Sequence, residues 1–472
     1  MKYLVFCFLV VLVSGCSHFL DEVSNDLIRP TKVEHYASLM LNECTLEAPY
    51  FKGVHHMTDD VTEDALAKTK NKSGLQTIYT WRREIEIKEN GERQSVNEAW
   101  GNFYRVIAIL NDILIEIREN AGTPEEVAYV KGEAYFLRAH AYFHLVNLYA
   151  LPYQPATARM QRGVPLRLDH AVEVTYDRAD LESCYEQIEK DLLAGCEEFA
   201  KAKLEKTVWH PNLAACQLLL SRLKLFRHEW EDAVRYAGEV VKQVPLAKLS
   251  EKSAFVTASN PEIIYSFMYD RSGLSIQGME SSGYGMSADL LACYDAMNDI
   301  RYAACFKLQG GAQKTVIYST KMEDNYTELG AFNLRGAEAY LNRAEAYVHL
   351  NDLEAAKADL RELIAKRYRN PESVVLPDSQ EELLRFVLDE RRREFAWEDH
   401  FRWYDLRRME DRPEIRHFFT YVNDDGLRVS RVSFRLLKND ANYVLPIPLT
   451  ERDNNPLIVN NDRLEKIAEP VN

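Results

Sequence analysis

The chain has 472 residues, 46% of them hydrophobic and 28% charged, with 19 Gly and 16 Pro. That is a globular composition, which excludes wholesale disorder, a collagen-like repeat and a disulfide scaffold, in a chain long enough for one large core or for two or three domains. Against 58 Lys and Arg stand 73 Asp and Glu, a net charge of -15. No nucleic-acid partner is expected, and an anionic membrane surface would repel the chain unless something anchored it.

The N-terminus offers such an anchor. Met1 and Lys2 precede an apolar run from Tyr3 to Val13, which ends at Ser14-Gly15-Cys16. Residues 1–15 read as a lipoprotein signal peptide, too short to span a bilayer. Leu12-Val13-Ser14-Gly15-Cys16 resembles a bacterial lipobox, in which Cys16 is acylated, with palmitate for example, and becomes the mature N-terminus. Residues 16–30, polar and acidic with Asp21, Glu22 and Asp26, then read as a tether to one domain over 31–472. No later run reaches the roughly 20 apolar residues that a bilayer needs.

Helical periodicity dominates 96–150, 180–245 and 334–409. Trp100, Phe103, Ile107, Leu110 and Leu114 form one stripe, and Val130, Ala134, Leu137, Ala141 and Leu145 form another. The pattern from Gln380 runs unbroken to Met409. Tyr135–Ala150 and Tyr340–Ala355 are identical at nine of sixteen positions, among them Arg138/Arg343, Ala139/Ala344, Ala141/Ala346, Tyr142/Tyr347 and Leu145/Leu350. Asn351-Asp352-Leu353 and His228-Glu229-Trp230 each make a turn followed by a fresh acidic helix start. Such spacings resemble tetratricopeptide-like helix pairs, so the expected fold is mainly α, built of antiparallel pairs. Residues 47–95, 250–333 and 410–472 break the pattern with glycines and short strand-like pieces such as Ile263–Tyr269 and Thr315–Ser319. Insertions of this kind on a rigid scaffold are where recognition is expected.

Few constellations suggest chemistry. Glu390 and Glu394 lie one turn apart among Arg391, Arg392 and Arg393, with His400 and Asp405 beyond, and read as a salt-bridge lattice rather than an acid/base pair. The expectation is of no cofactor. The best metal candidate is His56 with Asp60, one turn apart if helical; its oxygen-rich neighbours would suit Ca²⁺ and its imidazole Zn²⁺, and a plain polar rim is the competing reading. Cys44, Cys184, Cys196, Cys216, Cys293 and Cys305 contain no CxxC pair, and the sequence does not choose a disulfide among them. GxSxG, HExxH and GxGxxG are all absent, which favours a binder over an enzyme. Aromatic faces that could stack on sugar rings stand in the irregular segments. These are Tyr79 and Trp81 beside Arg82, Tyr265 and Tyr269 near Asp270 and Arg271, and Tyr284 between two glycines. Trp81 is either the foremost ligand contact or a plug sealing the insertion onto the helices.

Six motifs stand in one order: Ser17-His18-Phe19-Leu20-Asp21 after the lipobox; Trp100–Ile107 leading to Asn111; Glu133–Ala139; Leu290–Arg301; Asp389–Phe395 running to Arg402–Arg408; and Tyr443–Pro448 followed by Glu451 and Asn455-Pro456. In these the chain resembles the SusD/RagB family. The resemblance implies a right-handed superhelix of about four tetratricopeptide-like pairs with an irregular layer that bears the ligand. It implies an outer-membrane lipoprotein facing the cell exterior. Such a protein binds a nutrient, a glycan first and a peptide second as in RagB-like proteins, and passes it to a SusC-like TonB-dependent transporter without enzymatic activity. A helical-repeat docking scaffold is the alternative outside this family. The irregular segments carry no family-wide binding motif, so ligand identity does not transfer; the site is expected on loops from 50–95 and 260–330.

Overall fold

The computed structural model describes residues 30–471 except 47–49, 69, 172–173, 252–255, 268–282, 310–315, 320–331 and 424–427. Cys16, the signal peptide, almost all of the tether and Tyr269 lie outside the described residues, as does much of the 260–330 segment.

The chain is mainly helical. Two short helices, α1 (Val33–Met40) and α2 (Lys70–Tyr79), precede the long ones: α3 (Ala99–Glu116), α4 (Pro124–Tyr149), α5 (Leu181–Ala202), α6 (Leu213–Phe226) and α7 (Trp230–Gln243). After α8 (Ala288–Ala292) and α9 (Ile300–Cys305) the scaffold resumes with α10 (Gly336–His349), α11 (Leu353–Arg367), α12 (Gln380–Glu394) and α13 (Phe401–Arg408), and α14 (Leu449–Asn454) closes the series. Successive long helices pack as neighbours, α4 on α5, α6 on α7 and α10 on α11. Among the described residues no helix is long and apolar enough to cross a membrane.

Local chemistry sets these boundaries. A reciprocal capping box between Thr123 and Glu126, with Pro124 at the first helical position, starts α4. Apolar and Ala residues on every side let this helix be buried all round at the centre of the molecule. It approaches α5 closely because both present glycine: a Cβ on Gly132 would stand 3.1 Å from the Phe199 ring, and one on Gly195 3.4 Å from the Gly132 carbonyl.

The aligned repeats share geometry as well as letters. His228 and Asn351 are left-handed, at φ 61° and 60°, and the helix-start residues after them, Glu229 and Asp352, both have φ -94° and ψ 73°. Arg138 Nε and Nη2 reach Asp191 of the next helix at 2.8 and 2.7 Å; Arg343 Nε and Nη2 reach Asp359 at 2.8 and 2.5 Å. One bidentate clamp therefore recurs at aligned positions, tying the first helix of each pair to the second.

The irregular layer consists of small antiparallel pairings. Val61–Glu63 pairs with Tyr284–Met286, Ile263–Phe267 with Phe332–Arg335, and Phe306–Gln309 with Val316–Ser319. The longest is the hairpin of Ile415–Val422 with Arg428–Leu436, edged by Glu469–Pro470. One correction concerns the helical run expected from Gln380 to Met409. It breaks after Glu394, where Trp397 and Asp399 take left-handed φ of 64° and 43° before α13 begins. Such a break is costly for non-glycine residues, and it turns Asp399 and His400 into the core.

That same stretch anchors the expected salt-bridge lattice. Arg335 reaches Glu262 at 2.7 Å; Arg367 reaches both Glu262 and Glu394 at 2.9 Å; Arg301 reaches Glu390 at 2.7 Å and Glu394 at 2.9 Å, all buried. Burial alone would raise both glutamates. Arg301 and Arg393 hold Glu390 below the usual carboxylate range, while Arg367, Arg335 and Arg301 hold Glu394 well below it. Neither can act as a general acid near neutrality.

Candidate functional site

Four of the aromatic residues expected to meet ligand, Tyr79, Trp81, Tyr265 and Tyr284, are core residues. Trp81 is 1% exposed; its ring stacks on His417 at 4.3 Å, and Nε1–H donates to the Met57 carbonyl at 2.9 Å. Tyr79 stacks on the same imidazole at 4.1 Å and meets Tyr284 at 4.6 Å. The Tyr284 hydroxyl is spent on the Lys72 carbonyl, and Tyr265 lies edge-on to Phe136 at 5.4 Å, fully buried. Arg82 is ion-paired to Glu89 and Glu465. The physical reason is common to all: each ring is packed against side chains brought in from distant parts of the chain, Tyr79 and Trp81 on His417, Tyr79 on Tyr284 and Tyr265 on Phe136, and removing those apolar faces from water joins them to the core. Trp81 is a plug.

The metal candidate is corrected too. Val54–Met57 is a single 3-10 turn and Thr58 is extended, so His56 and Asp60 do not share a helical face. Asp60 is committed to Arg392 at 2.8 Å. His56 packs edge-on to Tyr284 at 5.0 Å, and burial draws its pKa down to about 4.

An accessible site lies elsewhere, on the helical scaffold. The start of α7, the end of α10, the first half of α12 and the end of α13 enclose an open groove of about 700 Å³. On one side Trp230 and the exposed His349 stack at 3.9 Å and 7°, and His228 stacks on Trp230 at 5.0 Å. Leu384, Leu388 and Met409 line the groove, while Glu381, Asp389, Glu410 and Asp411 stand exposed among its lining residues. Arg385 offsets Glu381 at 3.2 Å and Lys438 offsets Asp411 at 2.7 Å. Arg408 is held to Glu345 at 2.9 Å. Burial first, then the neighbouring imidazole and Arg408, lower the pKa of His228; burial and Arg408 lower that of His349. Both rings are neutral at neutral pH. A flat neutral ring face beside hydrogen-bond acceptors suits a polyhydroxylated or cationic ligand. Trp230 and His349 escaped sequence reasoning because each reads as an ordinary turn-flanking residue of a repeat; the only signal was that both fall at helix ends.

The architecture defines a class: a helical-repeat scaffold carrying an irregular layer, suited to binding. A family model described as "Starch-binding associating with outer membrane" matches residues 18–225, and the SusD family model matches residues 308–463. The chain belongs to the SusD/RagB family. It is similar to a SusD-like protein, P25, of Formosa agariphila, with 22% identity over 284 residues; the match covers 56% of this chain and only 50% of that protein. Among solved structures, a SusD superfamily protein from Bacteroides thetaiotaomicron superposes with a TM-score of 0.71 at 20% identity, covering 92% of this chain and 100% of the other. A laminarin-binding SusD-like protein superposes with a TM-score of 0.61 at 19% identity, covering 90% and 96%.

Proposed function

We propose that this chain is a surface lipoprotein of the outer membrane, anchored through Cys16, that captures a glycan and delivers it to a SusC-like TonB-dependent transporter. The observation that carries this reading is the family match over both halves of the chain, and the laminarin-binding relative supports a glycan as the cargo. Its role is binding rather than catalysis, in keeping with Glu390 and Glu394 being locked in ion pairs. The Trp230–His349 groove is the proposed contact surface, since it offers ring faces and acceptors to solvent. Calorimetry against a panel of oligosaccharides, laminarin-type β-glucans included, tests the proposal: saturable heat with at least one glycan is expected, and no heat with any of them overturns it.

A peptide is the second reading, favoured by the acidic rim of the groove. Saturable heat with mixed basic oligopeptides and none with glycans would establish it instead.

A further inference from the structure

The groove of Trp230 and His349 is lined by five carboxylates against two guanidiniums. Following each charge to its partner shows which of them a ligand can meet. Arg408 is committed inside the protein, to Glu345 at 2.9 Å and to Asp405 at 2.8 Å. Arg385 answers Glu381 at 3.2 Å, and Lys438 answers Asp411 at 2.7 Å from outside the lining. Asp389 and Glu410 remain. Both are exposed, and among the described residues neither forms an ion pair. The imidazoles of His228 and His349 do not balance them, since burial and Arg408 keep both rings neutral.

The two open carboxylates come from separate elements and share one groove with the ring stack. Glu410 follows α13, and its charge acts on both His228 and His349, which sets it beside the rings. Asp389 stands on α12, one turn beyond Arg385 and next to Leu388 of the same lining.

This arrangement discriminates by charge. A ligand that covers an open carboxylate must replace the water that solvates it. A neutral hydroxyl replaces that water with one donor and no charge. An anionic group meets like charge, with no uncommitted cation on the lining except the exposed Arg385 to receive it. An ammonium brings three donors and the opposite charge. The stacked rings, with Leu384, Leu388 and Met409, supply apolar surface for the body of a sugar ring.

We propose that the glycan taken by this groove carries free primary amines: a cationic amino-sugar oligomer, its ring against the Trp230–His349 stack and its ammonium groups on Glu410 and Asp389. The inference rests on the groove being the glycan site, as proposed above. It makes Asp389 and Glu410 the residues that set specificity, while the ring stack sets affinity for the sugar body.

The test is calorimetry on the full chain with two tetrasaccharides of one β-1,4 backbone, glucosamine and N-acetylglucosamine, in slightly acid buffer where the amines are protonated. The pair differs in whether the nitrogen carries a charge and an acetyl group. The amine oligomer should bind at least about tenfold tighter at low salt, and added salt should shrink that preference. Asp389→Asn combined with Glu410→Gln, both at exposed positions and confirmed folded by a thermal melt, should reduce the preference to under about threefold, and each single variant should lose part of it. The proposal falls if the acetylated oligomer binds as tightly as the amine, or if the folded double variant keeps the preference. It also falls if a uronate oligomer binds as tightly, or if trilysine binds more tightly than the amino sugar, which would establish the peptide reading instead. Neutral β-glucans bound with no gain from an amine overturn this inference alone; no heat with any glycan overturns the glycan reading and this inference with it.

Discussion

The Trp230 indole and the His349 imidazole stack at 3.9 Å with 7° between their planes, joining the start of one repeat helix to the end of another. Trp230 follows the left-handed turn at His228 and His349 precedes the matching turn at Asn351. The repeat geometry thus brings two turn-flanking rings together at the edge of the groove.

Replacing Trp230 with Ala should weaken glycan affinity at least tenfold while lowering the melting temperature by only a few degrees, because the ring is half-buried and faces an open cavity. Calorimetry and a thermal melt on the same preparation check both halves. Unchanged affinity would remove the groove from the binding site.

Trp81→Ala should behave in the opposite way. The indole is enclosed, stacked on His417 and hydrogen-bonded through Nε1, so truncation should cost about 3–5 kcal/mol. A chemical denaturation curve would show this as a large drop in midpoint. A drop under about 1 kcal/mol would mean that the ring is not the plug described here.

Removing one member of the buried lattice should be equally severe. Glu394→Gln leaves Arg335 and Arg367 facing Glu262 with one carboxylate fewer, a change expected to cost about 3–5 kcal/mol. Equilibrium unfolding in urea measures it, and near-wild-type stability would show that the lattice is not what holds α12 to the irregular layer.

Acid should destabilise the protein in two stages. His55 and His56 are buried neutral, with burial drawing them to about 3 and about 4, so below pH 6.5 the unfolded chain takes up protons that the folded one refuses and stability falls as pH drops. Asp59 follows: burial opposes its charge, but Arg402 and Arg392 bring it below the ordinary carboxylate range to about 2, so its contribution is full above pH 4 and lost toward pH 2. Melting temperatures from pH 7.5 to 3 should decline from near pH 6.5 and steepen below pH 4. A flat profile down to pH 4 would show that these imidazoles titrate normally.

Cys16→Ser should release the protein from the membrane fraction, since the thiol that would receive the lipid is gone and an acyl chain supplies much of the affinity. Fractionation of cells carrying the variant decides this, and unchanged membrane association would contradict lipidation at Cys16.

Composition, the helical stripes and the aligned segments at 135–150 and 340–355 were enough to establish a helical-repeat protein, because amphipathic periodicity and turn chemistry are local properties. Arg138 and Arg343 could even be paired from sequence alone, although only the fold shows that each clamps an Asp on the following helix. The lattice around Glu390 and Glu394 was legible as well, since so dense a run of charge can be buried only by pairing. The fate of individual aromatic rings was not. Tyr79, Trp81, Tyr265 and Tyr284 stand in segments that look like exposed loops, but whether such a ring faces ligand or core depends on what packs against it from residues hundreds of positions away, such as His417 against Trp81. Tertiary structure alone decided that these rings close the core, that Trp230 and His349 remain open, and that the chain breaks at Trp397 and Asp399 to set His400 beside His144. Burial and encounter are long-range properties, and no local spacing encodes them.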